Sequence, residues 1–248
     1  MRPAAVGFQC PDDVAAGARS QRTPVNTLGG PATQRPPVVT YVLVALNVIA
    51  FALEGFPLGG LSAIPNDFVQ RFVLYNPAIA DEPYRLLTAV FLHASLVHIG
   101  LNMLVLVLIG RQLEQVLGWA RYLAGYVVSG VGGSVLFYLL GNSTTYGLGA
   151  SGAIFGLFST FYLVARRLQA DASSILATIG LNLVLTVLIP GISLWAHLGG
   201  LVTGAVIGLV YTQVPSRPPS LKAVQLALVA GIAALLVIAV VVRSASVA

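Results

Sequence analysis

Charge is scarce in this chain. Asp, Glu, Lys and Arg make up 8% of its 248 residues, where a water-soluble domain carries about a quarter. That excludes an ordinary globule with a solvated surface. Cysteine is scarcer still, since Cys10 stands alone. An intramolecular disulfide and a multi-cysteine zinc site are both excluded, and neither a metal nor another cofactor is expected. The alternation of period two that marks a membrane β-barrel is missing. The net charge of +5 is spread thinly along the loops. It calls for no nucleic-acid partner, because basic residues beside apolar spans are what sets membrane topology.

What fills the chain is apolar. Hydrophobic residues reach 57% and the mean hydropathy is +0.88, with runs near the 20 residues that cross a bilayer. Such runs read as helices, because a span must satisfy its own backbone hydrogen bonds. The expected fold is all-α, a polytopic membrane helix bundle. Residues 1–37 are polar and rich in Pro, Gly, Ser and Thr, and read as a disordered cytoplasmic tail. No apolar core follows the opening charge, so they are not a signal peptide. Spans are expected at about 38–56, 96–116, 122–140, 151–165, 174–189, 194–211 and 221–242. The connection 57–94 is long enough to be functional. Its Phe68, Phe72, Leu74 and Tyr75 interleave with Asp67, Gln70 and Arg71, which predicts an amphipathic segment in the interface. A Pro-rich break at 215–219 sets off the seventh span, which shows no polar mark and reads as an appended helix. The organisation is thus a tail (1–37), a six-span core (38–212), and a linker with a seventh helix (213–248).

Ten of the thirteen Lys and Arg residues fall in the tail and the 2–3, 4–5 and 6–7 connections. Arg71, Arg85 and Arg243 fall on the other side. The N-terminus is therefore expected in the cytoplasm of a plasma-membrane protein, and spans two, four and six begin outside. Polar groups inside spans are costly and point to function. His93 and His98 sit at the start of span two, and His197 lies roughly 9 Å below the outer start of span six. All the candidate chemistry gathers in the outer leaflet.

Span four opens in the stretch Gly147-Leu148-Gly149-Ala150-Ser151-Gly152-Ala153-Ile154-Phe155-Gly156. A serine among glycines there is either an N-cap or a nucleophile beside free backbone N–H groups. His98 and Asn102, at i and i+4, share one helical face. They offer donors to an oxyanion or hydrogen bonds between helices. Gly200, Gly204 and Gly208 form a small-residue stripe on span six, which lets helices approach closely. Gly152 and Gly156 offer matching spacing on span four, and such a contact would bring His197 within reach of Ser151. A dyad would then have His197 as base for Ser151. No acidic residue is positioned to orient the imidazole, so a dyad is more economical than a triad. His93 reads as a tether.

On these residues the chain resembles the rhomboid family of intramembrane serine proteases, bacterial members with a six-helix core and a C-terminal seventh helix among them. Gly149-Ala150-Ser151-Gly152 looks like the family's GxSG. The stretch from His93 to Asn102 resembles its second-helix signature, ending HxxxN. Ala196-His197-Leu198-Gly199-Gly200 with Gly204 resembles its AHxxGxxxG, and Gly110 to Gly118 its GxxxExxxG. The resemblance covers about residues 38–212. It implies Ser151 as nucleophile and His197 as general base, with an oxyanion hole from His98, Asn102 and the Ser151 N–H. Gly149, Gly152, Phe155, Gly200 and Gly204 would support the site, and Glu114 would be a structural anchor. The first loop would be membrane-embedded, and the fifth helix would gate lateral access. Substrates would be single-span membrane proteins in the lipid bilayer, cleaved near the outer leaflet where helix-weakening residues expose the backbone.

The chain departs from the family pattern in places. The Trp-Arg pair of the first loop reads Tyr84-Arg85. Phe155 stands where some members have tyrosine, and brings no hydroxyl. Residues 6–13 look like the end of a cysteine-rich zinc module of which only Cys10 remains. Two further readings stand beside protease: a non-catalytic rhomboid-like binder or chaperone of membrane proteins, against which both Ser151 and His197 are retained, and a transporter, against which the inner halves of the spans hold few polar groups.

Overall fold

The computed structural model describes residues 2–3, 8–14, 26–28, 36–55, 66–141, 144–216 and 220–247. Most of the tail expected to be disordered, and residues 217–219 of the Pro-rich break, lie outside them. Within the tail, β1 (Arg2–Pro3) pairs antiparallel with β2 (Phe8–Gln9). Farther on, Asn26 donates to the Val116 carbonyl at 2.9 Å and Leu28 is buried.

The long helices are α1 (Val38–Leu53), α4 (Leu96–Leu117), α5 (Trp119–Leu140), α6 (Ser151–Arg167), α7 (Ser173–Leu188), α8 (Leu194–Gln213) and α9 (Ser220–Val247). The connection after α1 carries short pieces: α2 (Asp67–Phe72), β3 (Leu74–Tyr75) and α3 (Arg85–Thr88). This is a polytopic helical membrane bundle. Four helices, α4, α5, α8 and α9, are long and apolar enough to cross a bilayer unaided. The other three are shorter: α1 and α7 have 16 residues and α6 has 17, or about 24–26 Å at 1.5 Å per residue, with α6 and α7 close to the expected 151–165 and 174–189. The lead-in to α6 accounts for its shortness. There β4 (Tyr146–Gly147) pairs antiparallel with β3 and Ala150 is wholly buried, so non-helical backbone is satisfied inside protein rather than against lipid.

The first loop is a built structure, and only its α2 is helical in the expected interfacial segment. Buried Arg85 donates to the carbonyls of Gln70 and Val73 at 2.6 and 2.8 Å and to Glu82 at 2.6 Å. That hydrogen bond holds the Glu82 carboxyl below the usual carboxylate range. Thr88 ties back to the Phe72 carbonyl at 2.8 Å. The Tyr75 and Tyr146 rings stack at 4.9 Å where the β3–β4 ladder joins this loop to the chain entering α6.

At the opposite end of the bundle the Gly110–Gly118 stretch has a packing explanation. The buried Glu114 carboxylate accepts from Val39 N–H at 3.0 Å, and from Thr40 N–H and hydroxyl at 2.8 Å each. It thereby satisfies orphan donors at the start of α1 and opposes their positive dipole. A Cβ on Gly110 would strike the Tyr122 hydroxyl, and Gly118 turns the chain between α4 and α5 at φ +84°. The last helix is not without polar marks. Gln225 is fully buried and accepts from Arg121 at 2.9 Å while donating to the Val214 carbonyl at 2.7 Å. Toward the other end of α9, Ser244 meets the Tyr138 hydroxyl at 3.0 Å.

The closest helix pair is α6 and α8. A Cβ on Gly200 would collide with the Gly152 carbonyl, and one on Gly204 with the Gly156 backbone. Contact at that range permits hydrogen bonds between helices: Ser159 donates to Leu201 O at 2.8 Å and Thr160 to Gly204 O at 2.9 Å. Gly199 presses equally on Gly132 and Gly133 of α5, a partner beyond the expected pairing with span four alone. Gly200→Ala is expected to force α6 and α8 apart and to lower the thermal midpoint in detergent, by about 1–3 kcal/mol of stability as for overpacked cores; an unchanged melting curve would show that the contact is not tight.

Candidate active site

Ser151 is the first residue of α6, and Ala150 occupies the cap position with no side-chain capping bond. The N-cap reading of the serine is therefore replaced by another contact. Its Oγ lies 2.8 Å from Nε2 of His197, one turn into α8. Ser193 caps α8 by accepting from Ala196 N–H, and Ser95 caps α4 by accepting from His98 N–H. These caps start the helices that carry the two imidazoles. Phe155 on α6 stacks on the His197 ring with centroids 4.2 Å apart and planes 21° apart. The ring is thus clamped on one face without a hydroxyl.

Polar contacts indicate the imidazole tautomers. The Thr186 hydroxyl on α7 has one hydrogen, and it is directed to the Asn182 carbonyl at 2.7 Å. Toward Nδ1 of His197, at 2.6 Å, the same oxygen is an acceptor. Nδ1 then carries the ring proton, and the Nε2 lone pair faces Ser151. For His98 the pattern is reversed. Ala94 N–H donates to its Nδ1 at 3.4 Å, which leaves the proton on Nε2.

That Nε2–H points into the space above Gly149. An added Cβ on Gly149 would sit 2.9 Å from His98 Nε2 and 3.7 Å from Ser151 Oγ. Glycine is required there twice over, by this crowding and by φ +123°. The Gly149 N–H is engaged by the Ala89 carbonyl at 2.9 Å, so the first loop also holds the strand leading to the serine. Asn102, one turn beyond His98, is buried with its Nδ2 unpaired. A buried amide donor without a partner is costly in a low-dielectric interior. Together with the free N–H groups of the first turn of α6, these donors can receive a negative oxygen formed beside Ser151.

His93 lies behind this group. Its backbone N–H donates to both oxygens of buried Glu54 at 3.1 Å, and its ring sits edge-on to His98 with centroids 5.0 Å apart. Among the described residues no cluster of His, Cys, Asp or Glu could hold a metal ion. Thr186 escaped sequence reasoning. Its signal was the spacing Thr178, Asn182, Thr186, polar residues at i, i+4 and i+8 along an apolar helix, each bonded back one turn.

The rhomboid domain matches residues 80–214, which hold all of these side chains except Glu54. The chain belongs to the rhomboid family. It is 31% identical over 187 residues to the putative rhomboid protease YdcA of Bacillus subtilis, spanning 73% of this chain and 92% of that protein. It is 37% identical over 137 residues to RHOMBOID-like protein 1 of Arabidopsis thaliana, covering 52% of this chain and 35% of that protein. With Rhomboid-type serine protease 2 of Emericella nidulans the identity is 32% over 165 residues, 64% of this chain and 33% of that protein. The chain thus spans about a third of the length of these last two relatives. Membership makes it a multi-pass membrane protein of the family, and the relatives named as proteases bear on its activity.

Asn102→Ala is expected to lower turnover on a membrane-protein reporter by about 2–4 kcal/mol of barrier with KM little changed, as for other oxyanion donors. An unchanged kcat in steady-state assays would remove Asn102 from that role.

Proposed function

We propose that this rhomboid is an intramembrane serine endopeptidase that cleaves transmembrane segments of single-span membrane proteins. The observation that carries the reading is the 2.8 Å contact between His197 Nε2 and Ser151 Oγ, beside the buried Asn102 Nδ2, which has no partner. His197 takes the Ser151 proton as Oγ attacks the scissile carbonyl. The oxygen that becomes negative is received by His98 Nε2–H, Asn102 Nδ2–H and the Ser151 backbone N–H. The His197 imidazolium then protonates the leaving amine, which departs and leaves an acyl group on Ser151. Water, deprotonated by His197, releases that acyl group and restores the serine.

Burial bears on the substrate class. Ser151 and His98 are partly exposed, while His197 and Asn102 are buried at the same end of the bundle. A scissile segment must present an extended backbone, since an intact helix hides its carbonyls in its own hydrogen bonds. The distribution of basic residues among the connections supports a cytoplasmic N-terminus, with the dyad toward the outer leaflet of the plasma membrane. The rhomboid match ends at Val214, which supports a 38–212 core followed by an appended seventh helix.

The test is cleavage of a single-span reporter in proteoliposomes. Wild type is expected to release two fragments, and Ser151→Ala none above background. Equal cleavage by both would overturn the proposal. Fluorophosphonate labelling of Ser151 that is lost in His197→Ala separates a protease from a binding protein that merely keeps the fold.

A further inference from the structure

Among the described residues, Thr186 is the one polar side chain hydrogen-bonded to the Ser151–His197 pair from outside it. It lies on α7, where only Ile179 and Thr186 itself are buried. The rest of that helix is half-buried or exposed, so burial of a hydroxyl here needs a reason. The carbonyl of Asn182 takes its hydrogen at 2.7 Å. Its oxygen is left to face His197 Nδ1 at 2.6 Å, the position where serine hydrolases of the triad type put a carboxylate. A neutral acceptor suits this site. A carboxylate in a bilayer-embedded bundle carries a desolvation cost of several kcal/mol, whereas a helix-bonded hydroxyl is already half satisfied.

We propose that Thr186 is a positioning residue, the uncharged third member of the Ser151–His197 pair. By accepting from Nδ1–H it selects the tautomer whose Nε2 lone pair meets Ser151. It fixes the ring edge-on while Phe155 fixes it face-on, and it stabilises the imidazolium once the proton has moved. The inference rests on the protease reading above. The surroundings of His197 bear on its test. Ser151 on α6 and His98 on α4 are the titratable groups that face it. From α7 comes the uncharged Thr186, and Gly133 of α5 packs on the backbone of Ala196. With no charged side chain bonded to Nδ1, the hydroxyl is the group whose removal changes the ring's proton affinity.

The experiment compares wild type, Thr186→Val and Thr186→Ser in proteoliposomes with the single-span reporter, measuring kcat, KM and the pH dependence of kcat/KM. Valine has nearly the same shape and leaves the Asn182 carbonyl to its helical partner. Thr186→Val is expected to lower kcat about 10- to 100-fold with KM changed less than about twofold, the scale of a lost hydrogen bond to a charged group. The sign of the pH effect follows from the bond. Acceptance from Nδ1–H is stronger when the ring is charged, so the wild-type contact favours the protonated ring. Its loss moves the acid limb of the profile to lower pH. Thr186→Ser, which keeps the oxygen, is expected to restore most of the rate and the wild-type limb. A Thr186→Val enzyme that keeps wild-type kcat, or one that is slowed equally by Ser and Val with an unmoved limb, would overturn the proposal. Failure of wild type to cleave would instead overturn the protease reading, which keeps the two outcomes distinct. The detergent melting curve of Thr186→Val, expected to match wild type, guards against a mere folding defect; a variant too unstable to assay is replaced by Thr186→Ala, held to the same kinetic outcomes.

Discussion

The contact between α6 and α8 without intervening side chains is the constraint on which the site depends. In a bilayer, apolar side chains gain little by meeting one another, since lipid tails serve equally well. Helices that must stay together need close backbone approach and hydrogen bonds between them. Gly200 against Gly152, and Gly204 against Gly156, supply the first. Ser159 to Leu201 and Thr160 to Gly204 supply the second. Ser151 directly precedes Gly152 and His197 lies one turn before Gly200, so their 2.8 Å separation is a consequence of the seam. Glycine that would weaken a soluble helix here determines where Ser151 Oγ and His197 Nε2 stand.

The remaining parts act as supports for that seam. The α5 helix closes on α8 through Gly132 and Gly133. The first loop, locked by Arg85, reaches the serine through the β3–β4 ladder and the Gly149–Ala89 bond. At the far end Glu114 gathers the start of α1, and Gly118 lets α4 and α5 turn back on each other. None of these contacts touches Ser151 Oγ or His197 Nε2. Each removes a degree of freedom from an element that does.

Much of this was legible in the sequence because membranes narrow the options. Apolar runs announced the helices, and glycines at i and i+4 announced the seam. The scarcity of polar residues in spans made His98, Asn102 and His197 conspicuous. What escaped had weaker local signals. Thr186 is a small hydroxyl residue in a helix that already carries Thr178 and Asn182, and such residues commonly bond back to their own helix. Only its second contact, to His197, sets it apart, and that contact spans two helices and a turn. Gln225 was hidden likewise. One amide in an apolar 28-residue helix reads as incidental until Arg121 is found opposite it.

A base oriented by a hydroxyl on α7 links two properties that the dyad alone would keep separate. The helices carrying Ser151 and His197 are welded to each other, so their distance changes little with the surroundings. The acceptor that sets the imidazole's tautomer sits instead on a helix with only two buried residues, Ile179 and Thr186. A lateral displacement of α7 would draw Thr186 away from Nδ1 while leaving the α6–α8 seam in place. His197 then loses its orienting bond while keeping its place. Full reactivity in the proposed mechanism therefore requires α7 to be seated again, or a substrate group to accept from Nδ1–H in its stead. A charged acceptor on the rigid seam would impose no such requirement.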